Sequence, residues 1–311
     1  MRGSFPRLMD MRIFLRSLQG RTDWRGGIPR RSIYAIKYAL RSLRHRSLHA
    51  AWLDFVYGDP RMRAMLAHDP RLLDRPQHDY INRQLGAAAG YAIVRSHYDY
   101  VLAHFPPAMV ERIYQHGRCP VGTLALKDGD TLSVELRRPT GRGREGELAL
   151  YLLDAQGRAL SSAIFTLADN GRRLLLGCLQ GSAAELGRDA VRALTRQCHG
   201  LRPKNLLLSM LLGLAGCIGA ERVSGVCNAA HPFAGKAGKI KADYDSFWLE
   251  CEGVAGSDGF YELPPHEPQR DIAAVESKHR SAFRKREALR CEAATLLPQA
   301  LGWSQPLALA G

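Results

Sequence analysis

The feature that most constrains this chain is a succession of five strand-length segments with only short breaks between them. Each segment is rich in apolar and β-branched residues in alternation, and they cover residues 121–128, 131–138, 146–154, 158–169 and 172–181. The breaks contain Gly, Asp and Asn, as in Asp128-Gly129-Asp130 and Asp169-Asn170-Gly171, which are residue types of tight turns. Because turns this short cannot carry a crossover, neighbouring strands should pair antiparallel. The sequence therefore predicts an antiparallel meander.

A mixed segment follows the meander and changes the class of the fold. Apolar residues recur at helical spacing in residues 183–199 and 203–219, and a strand is expected at 222–228, a short helix at 243–252 and a last strand at 259–263. Strands followed by helices in this order indicate an α+β fold rather than a sandwich or barrel. We expect this core domain to span residues 119–270.

The regions on either side of the core domain are expected to be different in character. Residues 1–30 scatter Gly, Pro and Arg without periodicity and are predicted to be a poorly ordered basic arm. Residues 31–118 are predicted to be a helical region, with short helices near 48–57 and 60–68 and a long one at 78–105. Residues 271–311 are expected to form a basic C-terminal helix and tail.

One helix of the helical region has a distinctive pattern of charge. In residues 31–46, apolar side chains recur at helical spacing with Arg and Lys between them. Helices that lie on a membrane surface share this pattern, and so does any surface helix with a cationic outer face. The second interpretation is the one that the sequence favours.

The charge of the chain is uneven. Its formal net charge is +14, and residues 1–75 hold 16 Lys and Arg against 6 Asp and Glu. Such a region can contact an anionic membrane surface or an acidic partner, or it can serve only to keep the protein in solution. Nucleic acid is not the expected partner, because no recognition module and no aromatic platform accompanies the basic residues.

The cysteine pattern and the hydropathy bear on location. The seven cysteines stand singly, with no Cys-x-x-Cys pair, which favours free thiols in a reducing cytosol. The N-terminus has no secretory pattern, because charges interrupt its first twenty residues. The longest uncharged stretch, residues 205–220, is shorter than the roughly 20 residues that span a bilayer. We therefore expect a cytoplasmic protein without a transmembrane segment, with peripheral membrane contact left open.

The first candidate for ligand binding is the turn Gln180-Gly181-Ser182, between a strand and a helix. The first N–H groups of a helix are unpaired and its dipole is positive there, so Gln180 and Gly181 could hold an anion. A capping box formed by Ser182 and Glu185 would explain the same residues without a ligand.

The second candidate is the pair Arg202 and Lys204, in the turn before the helix that starts at Pro203. Gly200 and Pro203 suit the end of one helix and the start of the next, but a tight turn does not require two cations. Arg202 and Lys204 could bind a phosphate or a carboxylate, or they could be exposed charges near a helix end.

The third candidate is catalytic and lies after the strand at 222–228. Asn228 and His231 follow that strand, and Asp243, Tyr244 and Asp245 come about a dozen residues later. A histidine near a carboxylic acid and a tyrosine could act as a general acid–base pair. Asp243 could instead cap the helix that carries Phe247 and Trp248 into the core.

Other chemistries are disfavoured. His97 and Asp99, with the distant His231, have the residue types of an iron oxygenase site. On a helix, however, residues two apart point about 200° apart, so His97 and Asp99 could not share a metal. No metal site is expected, and no Gly-x-Ser-x-Gly, Walker loop, dinucleotide fingerprint or zinc-protease motif is present.

The order of elements resembles that of the Gcn5-related acetyltransferases. In those enzymes the pyrophosphate of acyl-coenzyme A lies on the helix N-terminus that follows the fourth strand, and the corresponding turn here is Gln180-Gly181-Ser182. Their Arg/Gln-x-x-Gly-x-Gly/Ala loop is incomplete in this chain, because the second glycine is missing. The resemblance implies acyl-coenzyme A as a candidate cofactor, although a fold alone does not establish chemistry.

A second resemblance covers residues 30–295. The motifs that carry it are Glu145-Gly146-Glu147-Leu148, Ile164-Phe165-Thr166-Leu167, Leu176-Gly177-Cys178-Leu179-Gln180-Gly181, His199-Gly200-Leu201-Arg202-Pro203-Lys204, Gly225-Val226-Cys227-Asn228 with His231, Ala242-Asp243-Tyr244-Asp245-Ser246-Phe247-Trp248 and Ser277-Lys278-His279-Arg280-Ser281. On these motifs the chain resembles the VirK/YbjX family of bacterial proteins. The resemblance implies a link to virulence and to tolerance of host antimicrobial peptides, and it implies no defined biochemical activity. The chain departs from the family at 232–235, where relatives have a sequence closer to Val-Tyr-Arg after the histidine.

Two hypotheses of different classes follow. In the first, the protein is an acyltransferase-like enzyme or a binder of an anionic small molecule or acyl donor. Gln180, Gly181, Arg202, Lys204 and Asn228 would then bind the ligand, while His231, Asp243, Tyr244 and Asp245 would act in catalysis. In the second, it is a non-catalytic factor whose basic arm contacts an anionic membrane surface or an acidic partner.

Overall fold

A computed structural model describes residues 10–139, 143–181, 187–236, 242–267 and 271–303. Within these residues eight strands form one sheet, in the order β1-β2-β3-β4-β5-β6-β8-β7. Their bounds are Arg118–Ala125 (β1), Thr131–Arg137 (β2), Leu148–Leu153 (β3), Ala159–Ala168 (β4), Arg173–Gln180 (β5), Arg222–Val226 (β6), Val254–Ala255 (β7) and Phe260–Leu263 (β8). The α+β class predicted from the sequence is confirmed.

The five-stranded meander is confirmed strand by strand. β1 to β5 follow one another across the sheet, and each pairs antiparallel with the next. Side chains alternate along these strands, so Val134 and Leu136 of β2 are buried together with Leu150 and Leu152 of β3. The short turns and the strand-length apolar segments were sufficient to predict this part of the sheet.

The sheet changes direction after β5. β6 pairs with β5 in parallel, from Arg173↔Arg222 to Leu176↔Gly225, and β8 then pairs antiparallel with β6. β5 continues beyond Leu176 to Gln180, whereas its pairing with β6 stops. The two strands therefore part at their carboxyl ends, which is where open sheets containing parallel strands commonly bind ligands.

Six helices precede the sheet in the described part of the chain. They are α1 (Met11–Ser17), α2 (Ile28–Arg44), α3 (Arg46–Gly58), α4 (Pro60–His68), α5 (Ala87–His104) and α6 (Pro107–Tyr114). α5 packs against β4, and α6 packs against β1 and β2. The helical region thus covers part of the sheet.

Residues 10–30 differ from the predicted poorly ordered arm. Asp10 caps α1, and Phe14 of that helix stacks on Tyr38 with ring centroids 6.1 Å apart. Arg21 is buried beside Trp24 and forms an ion pair with Asp23 at 2.8 Å. A single helix of two turns gives too short a periodicity to be recognised in the sequence, and it is these contacts with α2 that order it.

The long helix predicted at 78–105 begins later, at Ala87. The backbone N–H of Ile81 donates to Arg144 O at 2.7 Å, and that of Arg83 donates to Ala230 O at 2.8 Å. Ile81 also has a φ of 57°, outside the helical region. Hydrogen bonds to distant segments therefore replace the local helical ones over the first part of the predicted helix.

A buried ionic cluster connects the helical region to the sheet. The Arg75 guanidinium contacts Asp69 at 2.7 Å and also pairs with Glu147, the residue before β3. Tyr98 of α5 donates to the same Glu147 carboxylate at 2.6 Å. Burial raises the pKa of Glu147, and Arg75 opposes that rise. Because removing one partner would leave a buried charge unpaired, this cluster fixes how α5 sits on the sheet.

In the described residues after the meander there are four helices: α7 (Gly187–Gln197), α8 (Pro203–Ile218), α9 (Tyr244–Glu250) and α10 (Arg280–Ala300). α8 packs on β3, β4 and β5, while α10 packs on α8 and β1. Gly213 permits the close approach of the two helices, because a Cβ there would lie 2.0 Å from Ala294 O. Among the described residues, no helix has both the length and the apolarity that a bilayer span requires.

Candidate functional site

The predicted ligand-binding residues first meet where β5 ends. β5 contains a bulge at Gly177, because Ile164 pairs with Cys178 and Phe165 with Leu176. Gln180 ends the strand with an exposed side chain, and Gly181 follows it. The predicted capping box at Ser182 and Glu185 lies outside the described residues.

A cavity of about 780 Å³ opens beside Gly181. It is bounded by the end of β5, α7, the start of α8 and α9, and its lining residues are Gly181, Val191, Arg192, Thr195, Arg196, Arg202, Pro203, Lys204, Ala242, Asp243, Ser246, Phe247 and Glu250. We call it the cationic pocket, because four of these residues are Arg or Lys. Of the residues predicted to bind a ligand, Gly181, Arg202 and Lys204 line it, whereas Gln180 and Asn228 do not.

Arg202 is already engaged in this pocket. Its guanidinium contacts Glu250 at 2.5 Å and donates through Nε to Asn205 Oδ1 at 3.1 Å. About half of the Arg202 and Glu250 side chains remains exposed. An ion pair this exposed contributes little to stability and can be rearranged by a ligand.

Lys204 is a partly buried cation of this pocket with spare bonding capacity. Its side chain is partly buried, and its Nζ lies 5.4 Å from the centroid of the Phe247 ring. No described residue forms a hydrogen bond or ion pair with its ammonium group. Burial lowers the pKa of Lys204 and the charge of Arg202 lowers it further, while the charges of Glu250 and Asp243 oppose the change.

The backbone around Lys204 is favourable to an anion as well. α8 begins at Pro203, has no acidic residue in its first turn and no side chain that caps it. Its positive end therefore lies at the wall of the cationic pocket that carries Lys204. From the sequence, an anion is expected at the start of the helix that follows β5. In the described chain, the helix that starts at the pocket wall beside Lys204 is α8.

The residues Asn228, Asp243 and Asp245 form a separate group, which we call the cap cluster. Asn228 Nδ2 donates to Asp243 Oδ1 at 2.8 Å, and the Tyr244 backbone N–H donates to Asn228 Oδ1 at 2.9 Å. The backbone N–H of Asn228 donates to Asp245 Oδ1 at 2.8 Å. These bonds fasten the end of β6 to the start of α9.

Asp243 has the structural role that the sequence allows as an alternative. Its carboxylate accepts hydrogen bonds from the Ser246 hydroxyl at 2.6 Å and from the Ser246 backbone N–H at 3.2 Å. The hydrogen bonds from Ser246, and then that from Asn228, lower the pKa of Asp243. The carboxylate is therefore held in its charged form as the N-cap of α9.

His231 is deeply buried behind α9. Its Nδ1 accepts a hydrogen bond from the Phe233 backbone N–H at 3.2 Å, which leaves the proton of the neutral ring on Nε2. Nε2 lies 3.1 Å from Glu145 Oε1 and makes no other close polar contact in the described chain. The ring stacks on Tyr244 with centroids 5.4 Å apart.

Tyr244 occupies the gap between β5 and β6. Its hydroxyl donates to Cys178 Sγ at 3.4 Å, and its ring lies between those of His231 and Trp248. Burial raises the pKa of Tyr244 and of Cys178, so both stay protonated at neutral pH. We call Glu145, Cys178, His231 and Tyr244 the histidine cluster.

Glu145 and Cys178 are the members of this cluster that the sequence did not identify as site residues, and Glu145 comes from a distant segment. It is held there by Gly177, because a Cβ at that glycine would lie 1.9 Å from Glu145 O. A glycine inside a buried strand is a signal of close backbone approach, so Gly177 could have indicated that another segment contacts β5. Phe247 and Glu250, also missed, line the cationic pocket.

Apart from Gln180, which belongs to none of them, the predicted catalytic and ligand-binding residues fall into three groups. Asp243 belongs to both the cap cluster and the wall of the cationic pocket. His231, Tyr244 and Asp245 are not among the residues that line the pocket. The structure brings the histidine and cap clusters together around α9, and it sets the cationic pocket beside them.

The residues of the rejected iron site are also separated. His97 Nε2 bonds to the Tyr114 hydroxyl at 2.8 Å, and its Nδ1 accepts the Leu167 backbone N–H at 3.2 Å. Asp99 points elsewhere and pairs with Arg95 at 2.7 Å on the surface. Across the described ranges, no group of three or more His, Cys, Asp or Glu residues could hold a metal ion.

Comparison with protein families identifies the group to which the chain belongs. The model of the family described as "Protein of unknown function (DUF535)" matches residues 28–296. The chain therefore belongs to this family, and the resemblance to VirK/YbjX proteins is confirmed.

Individual relatives agree with this assignment. The "Uncharacterized protein YbjX" of Escherichia coli (strain K12) is 28% identical over 257 residues, which cover 80% of this chain and 78% of that protein. An "Uncharacterized protein" of Haemophilus influenzae is 31% identical over 144 residues, covering 45% of this chain and 47% of its own. "Membrane protein LapB" of Mannheimia haemolytica is 23% identical over 195 residues, covering 61% and 81%.

One solved structure is weakly similar. It is a mutant of a cAMP-binding acyltransferase from Mycobacterium smegmatis, with 10% sequence identity and a TM-score of 0.30, and the match covers 64% of this chain and 59% of that one. A likeness this slight carries no argument about activity.

Proposed function

We propose that this protein binds an anionic small molecule in the cationic pocket, and that the ligand is an acyl donor of the acyl-coenzyme A class. One observation carries the proposal: the Lys204 ammonium is partly buried and has no anionic partner within the described chain. Buried charges in proteins are normally paired, so a lysine left in this state is most simply explained by a partner from outside the chain.

The surroundings of Lys204 favour a ligand with both a charged and an apolar part. Arg202 and the positive end of α8 add to the positive potential on one side of the pocket. Val191, Pro203 and Phe247 add apolar surface to the lining of the same pocket. A phosphate joined to an acyl or pantetheine chain has this combination of properties, whereas a free inorganic anion would leave the apolar surface unused.

The parting of β5 and β6 supports the choice of acyl donor. The pocket lies at the end of β5, where pairing with β6 has stopped. We propose acyl transfer as the reaction that would follow binding. Its candidate catalytic residues are His231, Asp243, Tyr244 and Asp245. Of these, only Asp243 reaches the pocket wall, and its carboxylate is engaged as a helix cap. Binding is therefore the step to test first.

The test is a thermal shift titration of the full chain with acetyl-coenzyme A, a long-chain acyl-coenzyme A, coenzyme A and inorganic phosphate. A ligand that binds only the folded state stabilises it by RT ln(1 + [L]/Kd), about 2.7 kcal/mol at a hundred times Kd. We expect acyl-coenzyme A to raise the melting temperature more than phosphate does.

A pair of lysine variants makes the test specific. Lys204→Met retains length and apolar bulk but removes the ammonium group, and it should weaken binding about tenfold or more. Lys127→Met, in the exposed turn between β1 and β2, is the matched control and should bind like the parent. The proposal fails if no compound stabilises the protein, or if the two variants bind equally well.

The biological setting is part of the same proposal. The family resemblance links such proteins to virulence and to tolerance of host antimicrobial peptides, and the unpaired cysteines favour the cytoplasm. A strain that lacks the protein, complemented with Lys204→Met or Lys127→Met, should differ in survival under a cationic antimicrobial peptide. Equal survival of the two strains would show that the pocket has no part in peptide tolerance. It would not change the conclusion about binding.

A further inference from the structure

The helix α2 has a row of exposed apolar side chains. Ile33, Ile36, Leu40 and Leu43 are each 50–62% exposed, although large aliphatic residues of a helix normally face the core. The sequence favours an ordinary surface helix with a cationic outer face. In the structure these four apolar side chains are exposed as well.

The four residues form one continuous stripe. At about 100° per residue, positions 33, 36, 40 and 43 fall within an arc of about 80° on the helix. The side of α2 that faces the protein is a different one, on which Tyr38 and Ser42 are buried. The exposed stripe is therefore additional to the face that packs against the protein.

Positive charge lies along one edge of the stripe. α2 contains five basic residues and no acidic one, namely Arg30, Arg31, Lys37, Arg41 and Arg44. By the same helical geometry Lys37 and Arg44 fall next to the stripe, and both are exposed. Apolar residues bordered by cations, with no acid among them, are the pattern of helices that lie in a lipid interface.

The helix is held firmly while it presents this stripe. The Tyr38 hydroxyl bonds to His49 Nε2 at 2.8 Å and donates to Ser17 Oγ at 2.8 Å. On the next turn, Gln77 Nε2 donates to Ser42 Oγ at 2.8 Å. The protein body therefore fixes which side of α2 points outward. On the neighbouring helix α1, Met11 and Leu15 add two more exposed apolar side chains, one turn apart.

We propose that α2 lies on the surface of an anionic lipid bilayer, with Ile33, Ile36, Leu40 and Leu43 inserted among the acyl chains and Lys37 and Arg44 at the level of the phosphates. A second copy of this chain is the weaker choice of occupant, because pairing α2 with itself would bring two uncompensated basic edges together. An acidic protein would explain the cations but would not require the uninterrupted apolar stripe. A bilayer with anionic headgroups satisfies both at once.

The first test measures binding of the full chain to vesicles by flotation. The vesicles are phosphatidylcholine alone and phosphatidylcholine with phosphatidylglycerol. We expect binding to the anionic vesicles that weakens as salt is raised, and at least tenfold less binding to the neutral ones.

Substitutions then test whether vesicle binding depends on the stripe in particular or on exposed apolar side chains in general. Ile36→Ser with Leu40→Ser should reduce vesicle binding at least tenfold, because both side chains leave the stripe. The matched control is Leu249→Ser with Val254→Ser, which removes two equally exposed apolar residues from α9 and β7. That control should bind vesicles like the parent.

The charges are tested in the same way. Lys37→Gln with Arg44→Gln should weaken binding to anionic vesicles severalfold and flatten its salt dependence. Arg284→Gln with Lys285→Gln removes two exposed cations of α10 and serves as the control.

Three results would overturn the proposal. In the first, the parent chain fails to bind anionic vesicles. In the second, the α2 variants bind vesicles as well as their controls do. In the third, vesicle binding is absent and Ile36→Ser with Leu40→Ser abolishes a dimer that the parent forms in sedimentation velocity. The last result would identify a second copy as the occupant. All four variants change exposed residues, so their melting temperatures should stay close to that of the parent.

Discussion

The cationic pocket and the cap cluster share Asp243, yet Lys204 of the pocket differs from the cap cluster in how its polar group is paired. In the cap cluster Asn228, Asp243 and Asp245 bond to one another, to the backbone and to the Ser246 hydroxyl at 2.6–3.2 Å. In the pocket, the ammonium of Lys204 has no partner in the described chain and its pKa is lowered. The cap cluster has used its hydrogen-bonding capacity, whereas Lys204 has kept its own.

This contrast separates residues that hold the fold from residues that could hold a ligand. Polar side chains grouped in a sequence motif do not by themselves distinguish the two, because a helix cap and a binding site use the same residue types. The difference lies in whether each group finds its partners within the chain. Substitutions in the cap cluster should therefore lower the stability of the fold, and substitution of Lys204 should lower the affinity for a ligand.

The largest effect should come from Tyr244, which fills the gap between β5 and β6. Tyr244→Ala would remove a buried ring that stacks on His231 and Trp248, and we expect a loss of about 3–5 kcal/mol in the free energy of unfolding. Tyr244→Phe keeps the ring, loses only the bond to Cys178 and should cost about 1 kcal/mol. Urea denaturation measures both, and equal losses would mean that the ring is not what closes the gap.

A smaller loss is expected for Asn228→Ala in the cap cluster. The variant loses the bonds to Asp243 and to the Tyr244 backbone, which corresponds to about 1–2 kcal/mol. Asn205→Ala is the control, because Asn205 accepts only a bond from the half-exposed Arg202 through its side chain. If both variants melt at the same temperature, the hydrogen bonds of Asn228 contribute less to stability in solution than their geometry implies.

Lys204→Met should behave in the opposite way and leave stability unchanged or slightly raised at neutral pH. Burial lowers the pKa of Lys204, so its charged form disfavours the folded state at every pH below that lowered pKa. The penalty falls as pH rises from that lowered pKa through the ordinary value of 10.5, above which the amine is neutral in both states. The stability advantage of the variant over the parent, measured by thermal denaturation, should therefore shrink as pH rises. A clear loss of stability at pH 7 would show that Lys204 has a partner within the chain.

The smallest effect is expected for Asp99→Asn on α5. Its i,i+4 pair with Arg95 is nearly half exposed on both sides, and such pairs contribute about 0.3–0.5 kcal/mol. The change should also leave binding of Fe(II) to the full chain unaltered, since His97 points to Tyr114 instead. A weakened affinity for iron would reopen the discarded metal site.

The sequence could predict those parts of the fold that depend on local pattern. The alternation along β1 to β5 and the turns between them define the meander. Pro203 begins α8, and Gly219 ends it with a φ of 68°. In each case the determining residues lie within a few positions of the feature, so no knowledge of distant segments is needed.

The remaining features depend on distant partners. Tyr80 to Arg83 leave the helical pattern because Arg144 and Ala230 bind their backbone. Residues Glu145 and His231 meet only after the chain has folded, at a distance of 3.1 Å. Likewise, the amphipathic pattern of α2 reveals that an apolar stripe exists but not whether the protein covers it. Periodicity describes one element, whereas burial depends on what packs against it.

The close packing of α10 has a consequence for the order in which the protein is made. Leu296 of α10 lies against Gly122 of β1, and Ala294 lies against Gly213 of α8. The first strand of the sheet therefore receives its cover from residues that are synthesised long after it. Until then β1 and α8 expose apolar surface, which favours aggregation of the nascent chain. A stop codon that removes α10 should give an aggregating product, even though all eight strands have been synthesised.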